Sequence, residues 1–530
     1  MNRPPRRSAF PRVAVASLAL AFPTAAQVTT RISVSSSGAE ASQGSSAGSV
    51  SADGRFVLFS SASPDLVPGD TNAQFDAFVR DTVLGTTERV SIGSTGNEAL
   101  GFNTGIALSA DGRFVLFEST APGLVPEDTN AHSDGFVRDR VLGTTALVTL
   151  DAAGASIPAA VSLPRMSTDG RFVLFASGWV NVVPGDTNGV SDVFVRDRQL
   201  GTTERVSLGT GGVEANQNCT GLAVTVDGRF VLFSSAATNL VPGDTNGAVD
   251  LFVRDRQLSL TERVNVSTAG AQANVVGLDL ELTGTLSDDG RVVAFASSAS
   301  NLVPGDTNGF ADVFARDRAL GTTTRISVSA AGVQGPGPSS TPFVTPDGRY
   351  VLFTGFSSNL VPGDTNAAGD VFLRDLQLGT IEIVSRRTDG TQPNGTSQVS
   401  GTSYSPDVRF VAFQSQGSNV VPADTNGAPD AFLRDRRPAI ASFCANDGLG
   451  TDHTSACPCG NIGAPGRGCG HSFDPNGALL DATGFPENDD VTLRSHGTPS
   501  TSFTLFLQHA SGGDAVFHDG VLCAAGTLIR

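Results

Sequence analysis

Seven times along the chain two aspartates stand six residues apart with an asparagine between them, in the spacing D-x-N-x-x-x-D. The copies are Asp70, Asn72 and Asp76; Asp128, Asn130 and Asp134; Asp186, Asn188 and Asp192; Asp244, Asn246 and Asp250; Asp306, Asn308 and Asp312; Asp364, Asn366 and Asp370; and Asp424, Asn426 and Asp430. Several hard oxygens within one turn of chain are what Ca²⁺ requires, although these loops lack the third carboxylate and closing bidentate glutamate of a full calcium loop. A second reading needs no metal: Asp and Asn side chains cap their own backbone in a tight loop. Recurrence favours this second reading, because a group present in every copy belongs first to how each copy folds.

Other candidates for chemistry are sparse. An Arg-Asp pair closes each DVFVRD-like segment, as in Arg80-Asp81 and Arg196-Asp197, and is expected to link neighbouring strands or units. Gly44-Ser45-Ser46-Ala47-Gly48 matches G-x-S-x-G, but no strand–turn–helix context surrounds it, and it is assigned to a connection. Of six histidines only His132 lies in the repeats, so a Ser-His-Asp set there would depend on it. Trp179, the one tryptophan, stands where other copies have small residues; it is a candidate for stacking on a ligand or for packing against a neighbouring loop.

The elements that position these groups follow from the repetition. A turn aspartate recurs at Asp53, Asp111, Asp169, Asp227, Asp289, Asp347 and Asp407, at spacings of 58, 58, 58, 62, 58 and 60. Around each, an apolar run such as Phe56-Val57-Leu58-Phe59 follows an Asp-Gly turn, then come a DVFVRD-like run and an alternating TTERV-like run. With one strand before the turn, each unit has four strands and no helical period. Four-stranded units at a fixed period describe a β-propeller. The fourth-strand sequence also precedes the first turn, at 30–34, while the seventh unit runs into Pro438 without one. An all-β, seven-bladed ring closed by the N-terminal strand is therefore expected, with the acidic loops and the variable connections on one face.

The SxDGRxVxF segments and the DVFVRD-like strands that follow them resemble the TolB-like, WD-type propeller repeats of exported bacterial proteins, over roughly residues 29–437. The chain departs from that pattern in its long LVPGDTNxxxD connection and in Asp407-Val408. The resemblance implies the fold and a range of uses, from docking platform to peptidase accessory domain to enzyme, without selecting among them.

Composition narrows the classes. Thirty-five basic residues, all arginine, against 52 acids make a net charge of −17, which argues against nucleic acid as partner. Residues 1–26, with four arginines before an apolar run, read as a signal peptide; the mature chain is then secreted, periplasmic or at the cell surface, with no transmembrane segment. The propeller is assigned to 27–438, and 439–530 to a small β-rich domain holding Cys444, Cys457, Cys459, Cys469 and Cys523. In an exported protein these form disulfides, the odd thiol staying free or pairing with Cys219; a zinc site from Cys457, Cys459, Cys469 and His471 is the alternative. The functional expectation is a monomeric, non-catalytic module that binds a protein or glycan through its acidic loop face. The alternative is a glycan-active hydrolase or lyase with carboxylates at the ring's centre.

Overall fold

The computed structural model describes residues 27–436, apart from 131, 276–282 and 402, together with short strand segments between 479 and 529. The chain divides into two units, one of them Gln27–Arg437.

That unit is seven antiparallel four-stranded sheets, with no helix among the described residues. In blade 1 the strands a to d are Ser45–Val50, Phe56–Ser61, Asp76–Asp81 and Thr86–Arg89, paired in chain order. From blade 1 to blade 6 the first strands of consecutive blades touch one another and form the inner wall. Val28–Arg31 pairs with Asp430–Asp435, Val28 opposite Asp435 and Arg31 opposite Phe432, so the N-terminal strand is strand d of blade 7 and closes the ring. It begins two residues earlier than the sequence suggests and leaves the sheet at Arg31.

Strands b and c are buried on both faces, which their continuous apolar runs require. Each blade stacks one phenylalanine from b on one from c; Phe59 and Phe78 have ring centroids 5.4 Å apart. The a–b turn is built locally. Asp53 Oδ1 accepts from Ser51 Oγ and from the Arg55 N–H, while Gly54 takes φ 72°. Glycine is needed there for a second reason, since a Cβ on Gly112 would lie 2.3 Å from the Phe56 ring of the preceding blade. The Arg140 guanidinium lies over that ring at 4.2 Å. Val408 stands at the glycine position of blade 7 with φ 50°, a strained conformation for a β-branched residue.

Between blades 5 and 6 the aromatic contact is missing. Val292 and Leu376 replace the phenylalanine and the arginine. A cleft of about 440 Å³ opens there, with Ala315, Ile326, Gly348 and Arg374 also in its wall.

Outside the propeller, Leu479–Thr483 pairs with Thr492–His496, Gln508–His509 with Leu528–Ile529, and Ala515–Phe517 with Gly520–Leu522. The signal segment 1–26, the five C-terminal cysteines and the zinc alternative lie outside the described residues. Cys219 is free and 2% exposed, with its thiol pushed up to about 12 by burial. Ser45 and Ser46 begin strand a of blade 1, so the G-x-S-x-G segment lies on a strand instead of in the expected connection.

Candidate functional site

All seven D-x-N-x-x-x-D segments join strand b to strand c on one face, and the second aspartate is in each case the first residue of strand c. The asparagine closes an Asx turn in every copy: Asn72 Oδ1 accepts the Gln74 N–H at 2.7 Å, and Asn188 Oδ1 the Val190 N–H at 3.1 Å. Its Nδ2 reaches into the next connection, as from Asn72 to the Ala99 carbonyl at 2.8 Å. The second aspartate is buried and held by a polar side chain at the end of strand d. Ser91 donates to Asp76 at 2.6 Å, Thr149 to Asp134 at 2.7 Å and Asn265 to Asp250 at 2.7 Å.

In most blades the carboxylates are not left to repel each other. Strand d carries an arginine opposite the strand-c phenylalanine, Arg205 facing Phe194 and Arg263 facing Phe252. Arg205 Nη1 sits 3.0 Å from Asp186 and 3.2 Å from Asp192; Arg263 Nη1 sits 3.1 Å from Asp244 and 3.0 Å from Asp250; Arg325 repeats this with Asp306 and Asp312 at 3.2 and 3.0 Å. Arg89 is 3.5 Å from both Asp70 and Asp76, and Arg31 binds Asp430 at 3.0 Å and Asp424 at 3.6 Å across the ring closure. A residue of the following connection completes the clamp. Glu98 takes Arg89 at 2.5 Å and accepts from the Thr71 N–H and hydroxyl; Thr71 and Arg89 hold it down at about 2 although burial opposes them. Burial pushes Asp70, Asp370 and Asp430 up to about 6.

These arginines were not among the residues singled out from the sequence. Their signal was present as an Arg recurring thirteen residues after the second aspartate, at 89, 205, 263 and 325. It breaks at Leu147 in blade 2 and Ile383 in blade 6, and in blade 7 the arginine is Arg31 of the N-terminal strand instead. In blade 6 the Gln392 amide bridges the pair, 2.9 Å from Asp364 and 3.1 Å from Asp370.

The Arg-Asp pairs at the ends of strand c work on the opposite face. Asp81 binds Arg55 at 2.8 Å and caps the c–d turn by accepting from the Val83 and Leu84 N–H groups. Arg80 reaches the Ser35 carbonyl of the preceding connection at 3.0 Å. Trp179 is half-buried and packs on the cluster of Ile157, Val161, Phe175, Val182 and Phe194. His132 is exposed on the blade 2 loop.

Two further regions depart from the sevenfold pattern. On the inner wall the described strand-a segments carry one charged side chain, Arg165, which feels the charge of Glu118 on strand b of blade 2. On the loop face Phe75 and Phe102 meet at 5.5 Å between ring centroids and remain 37% and 49% exposed, beside Leu100 at 73%. Their backbones are fixed, Phe75 by the Asn103 N–H and Phe102 by Thr120.

No family model matches the chain, and no curated protein does. Among solved structures it is similar to an oligogalacturonate lyase from Vibrio parahaemolyticus, at 11% identity over 78% of this chain and 92% of that one, with a TM-score of 0.42. It is similar to a putative TolB from Agrobacterium tumefaciens, at 15% identity over 66% and 93%, TM-score 0.34. A third is the β-propeller domain of the Trilobed protease from Pyrococcus furiosus, at 10% identity over 74% and 96%, TM-score 0.44. Similarity at these levels carries no argument about activity. What the chain's own geometry defines is a seven-bladed β-propeller.

Proposed function

We propose that the protein is an exported, non-catalytic binding module that takes a protein or glycan partner on its loop face. The observation that carries this reading is the exposed Phe75–Phe102 pair with Leu100, an apolar patch on loops that are otherwise tied down by ion pairs. Exposed aromatic side chains on a fixed backbone supply contact area at low entropic cost, and such rings stack equally on sugar faces and on apolar protein side chains. The remaining blades have Ser133, Ser191, Val249, Ala311, Gly369 and Pro429 at the position of Phe75, although Phe310 and Phe356 are also exposed on this face. No helix of the described residues is long and apolar enough to cross a membrane.

The experiment is affinity electrophoresis through gels holding acidic or neutral polysaccharides, alongside crosslinking to cell-envelope proteins. The wild-type chain is retarded or crosslinked, and Phe75→Ser/Phe102→Ser, both at exposed positions, is not. Equal behaviour of the two proteins removes the patch from the site. Release of unsaturated or reducing oligosaccharides from the same polysaccharides replaces this reading with that of a glycan-active enzyme.

A further inference from the structure

Six of the seven loops have a donor from their own chain between the two aspartates. In blades 1, 3, 4 and 5 an arginine Nη1 lies 3.0–3.5 Å from both carboxylates, in blade 7 Arg31 contacts both, and in blade 6 the Gln392 amide does. Among the described residues blade 2 has neither. Leu147 holds the arginine's register position opposite Phe136 and packs with Leu124 and Val125, while Ser156 replaces Glu98 or Gln392 and hydrogen-bonds Asn130.

The consequence is visible on Asp128. The residue is 7% exposed, and its Oδ1 is buried with no hydrogen-bond partner. The equivalent Oδ1 of Asp70, Asp186, Asp244 and Asp306 is the atom that faces the guanidinium. Asp134, 1% exposed, is near enough to feel the Asp128 charge, its carboxylate held by Thr149 and Asn130. Two carboxylates this deeply buried without a counter-charge are costly, and an ion removes the cost.

We propose that the blade 2 loop binds one divalent cation, Ca²⁺ by the hardness of its oxygen donors, between Asp128 and Asp134, where other blades place an arginine nitrogen. Asn130 orients the site without joining it, because its Oδ1 accepts the His132 N–H and its Nδ2 donates to Asp134 at 2.8 Å. Water and loop carbonyls complete the shell, as usual for this ion. The inference stands apart from the partner-binding reading.

The test titrates CaCl₂ into EDTA-stripped full-length chain at constant ionic strength, followed by calorimetry, with ZnCl₂ in parallel because His132 is exposed on this loop. Wild type takes up one Ca²⁺ more than Leu147→Arg, whose guanidinium restores the pattern of blades 1, 3, 4 and 5, and one more than the near-isosteric Asp128→Asn. Either variant binds at this site at least tenfold more weakly, so Asp128→Asn carries the result if Leu147→Arg does not fold. Equal uptake by wild type and the folded variants, or none by wild type, overturns the proposal. Uptake of Zn²⁺ alone overturns the choice of ion.

Discussion

The loops of blades 2 and 3 share their D-x-N-x-x-x-D spacing, their Asx turn and the hydroxyl that clamps the second aspartate. They differ in the strand d side chain that faces the aspartates, Leu147 against Arg205, and in the following connection, Ser156 against Glu214. In blade 3 the arginine makes Asp186 and Asp192 part of a closed ion-pair network; in blade 2 the equivalent carboxylates have no cation among the described residues. A motif read by itself is therefore ambiguous between scaffold and ligand site. The residue that decides is thirteen positions away and reaches the loop through the sheet.

The comparison breaks most visibly if blade 3 is turned into blade 2. Arg205→Leu leaves two buried carboxylates uncompensated, and removing one partner of a buried ion pair costs about 3–5 kcal/mol. Urea unfolding in EDTA should show that loss; a change under about 1 kcal/mol would mean that the arginine is not what holds loop 3 together.

Blade 6 sharpens the contrast through pH. Burial pushes Asp370 up to about 6, against an ordinary value of 3.8, so the folded state holds this proton more tightly than the unfolded chain. Its contribution is then fully present below about pH 4 and is lost as pH rises through about 6, by up to about 3 kcal/mol. Ile383→Arg supplies the guanidinium that the other blades use. The difference in melting temperature between variant and wild type should grow from pH 4 to pH 7, and a constant difference would place the titration elsewhere.

The smallest effect is expected where a departure from the repeat costs no charge. Between blades 5 and 6, Val292→Phe with Leu376→Arg rebuilds the ring and its covering cation in the 440 Å³ cleft. A gain of about 1 kcal/mol is expected from the restored packing and cation–π contact, measurable as a higher urea midpoint. A loss would show that Ala315 and Gly348 have closed around the smaller side chain.

Most of the architecture was legible in the chain because it is written in local terms. Asp-Gly turns, paired phenylalanines at fixed spacing and a fourth strand displaced to the N-terminus act over a few residues or repeat in register, so seven blades and their closure follow by counting. The asparagines, too, do what their type prescribes at short range, each bonding the backbone two residues on. Which loops carry a cation of their own could not be read in the same way, because Arg205 meets Asp192 only through the pairing of strand c with strand d. Phe75 and Phe102 likewise lie 27 residues apart and meet only because two connections emerge side by side. Sequence periodicity determined the scaffold, since every copy must bury the same face. Tertiary register decided the site, since charge compensation and exposed contacts depend on which side chains the sheets bring within a few ångströms of each other.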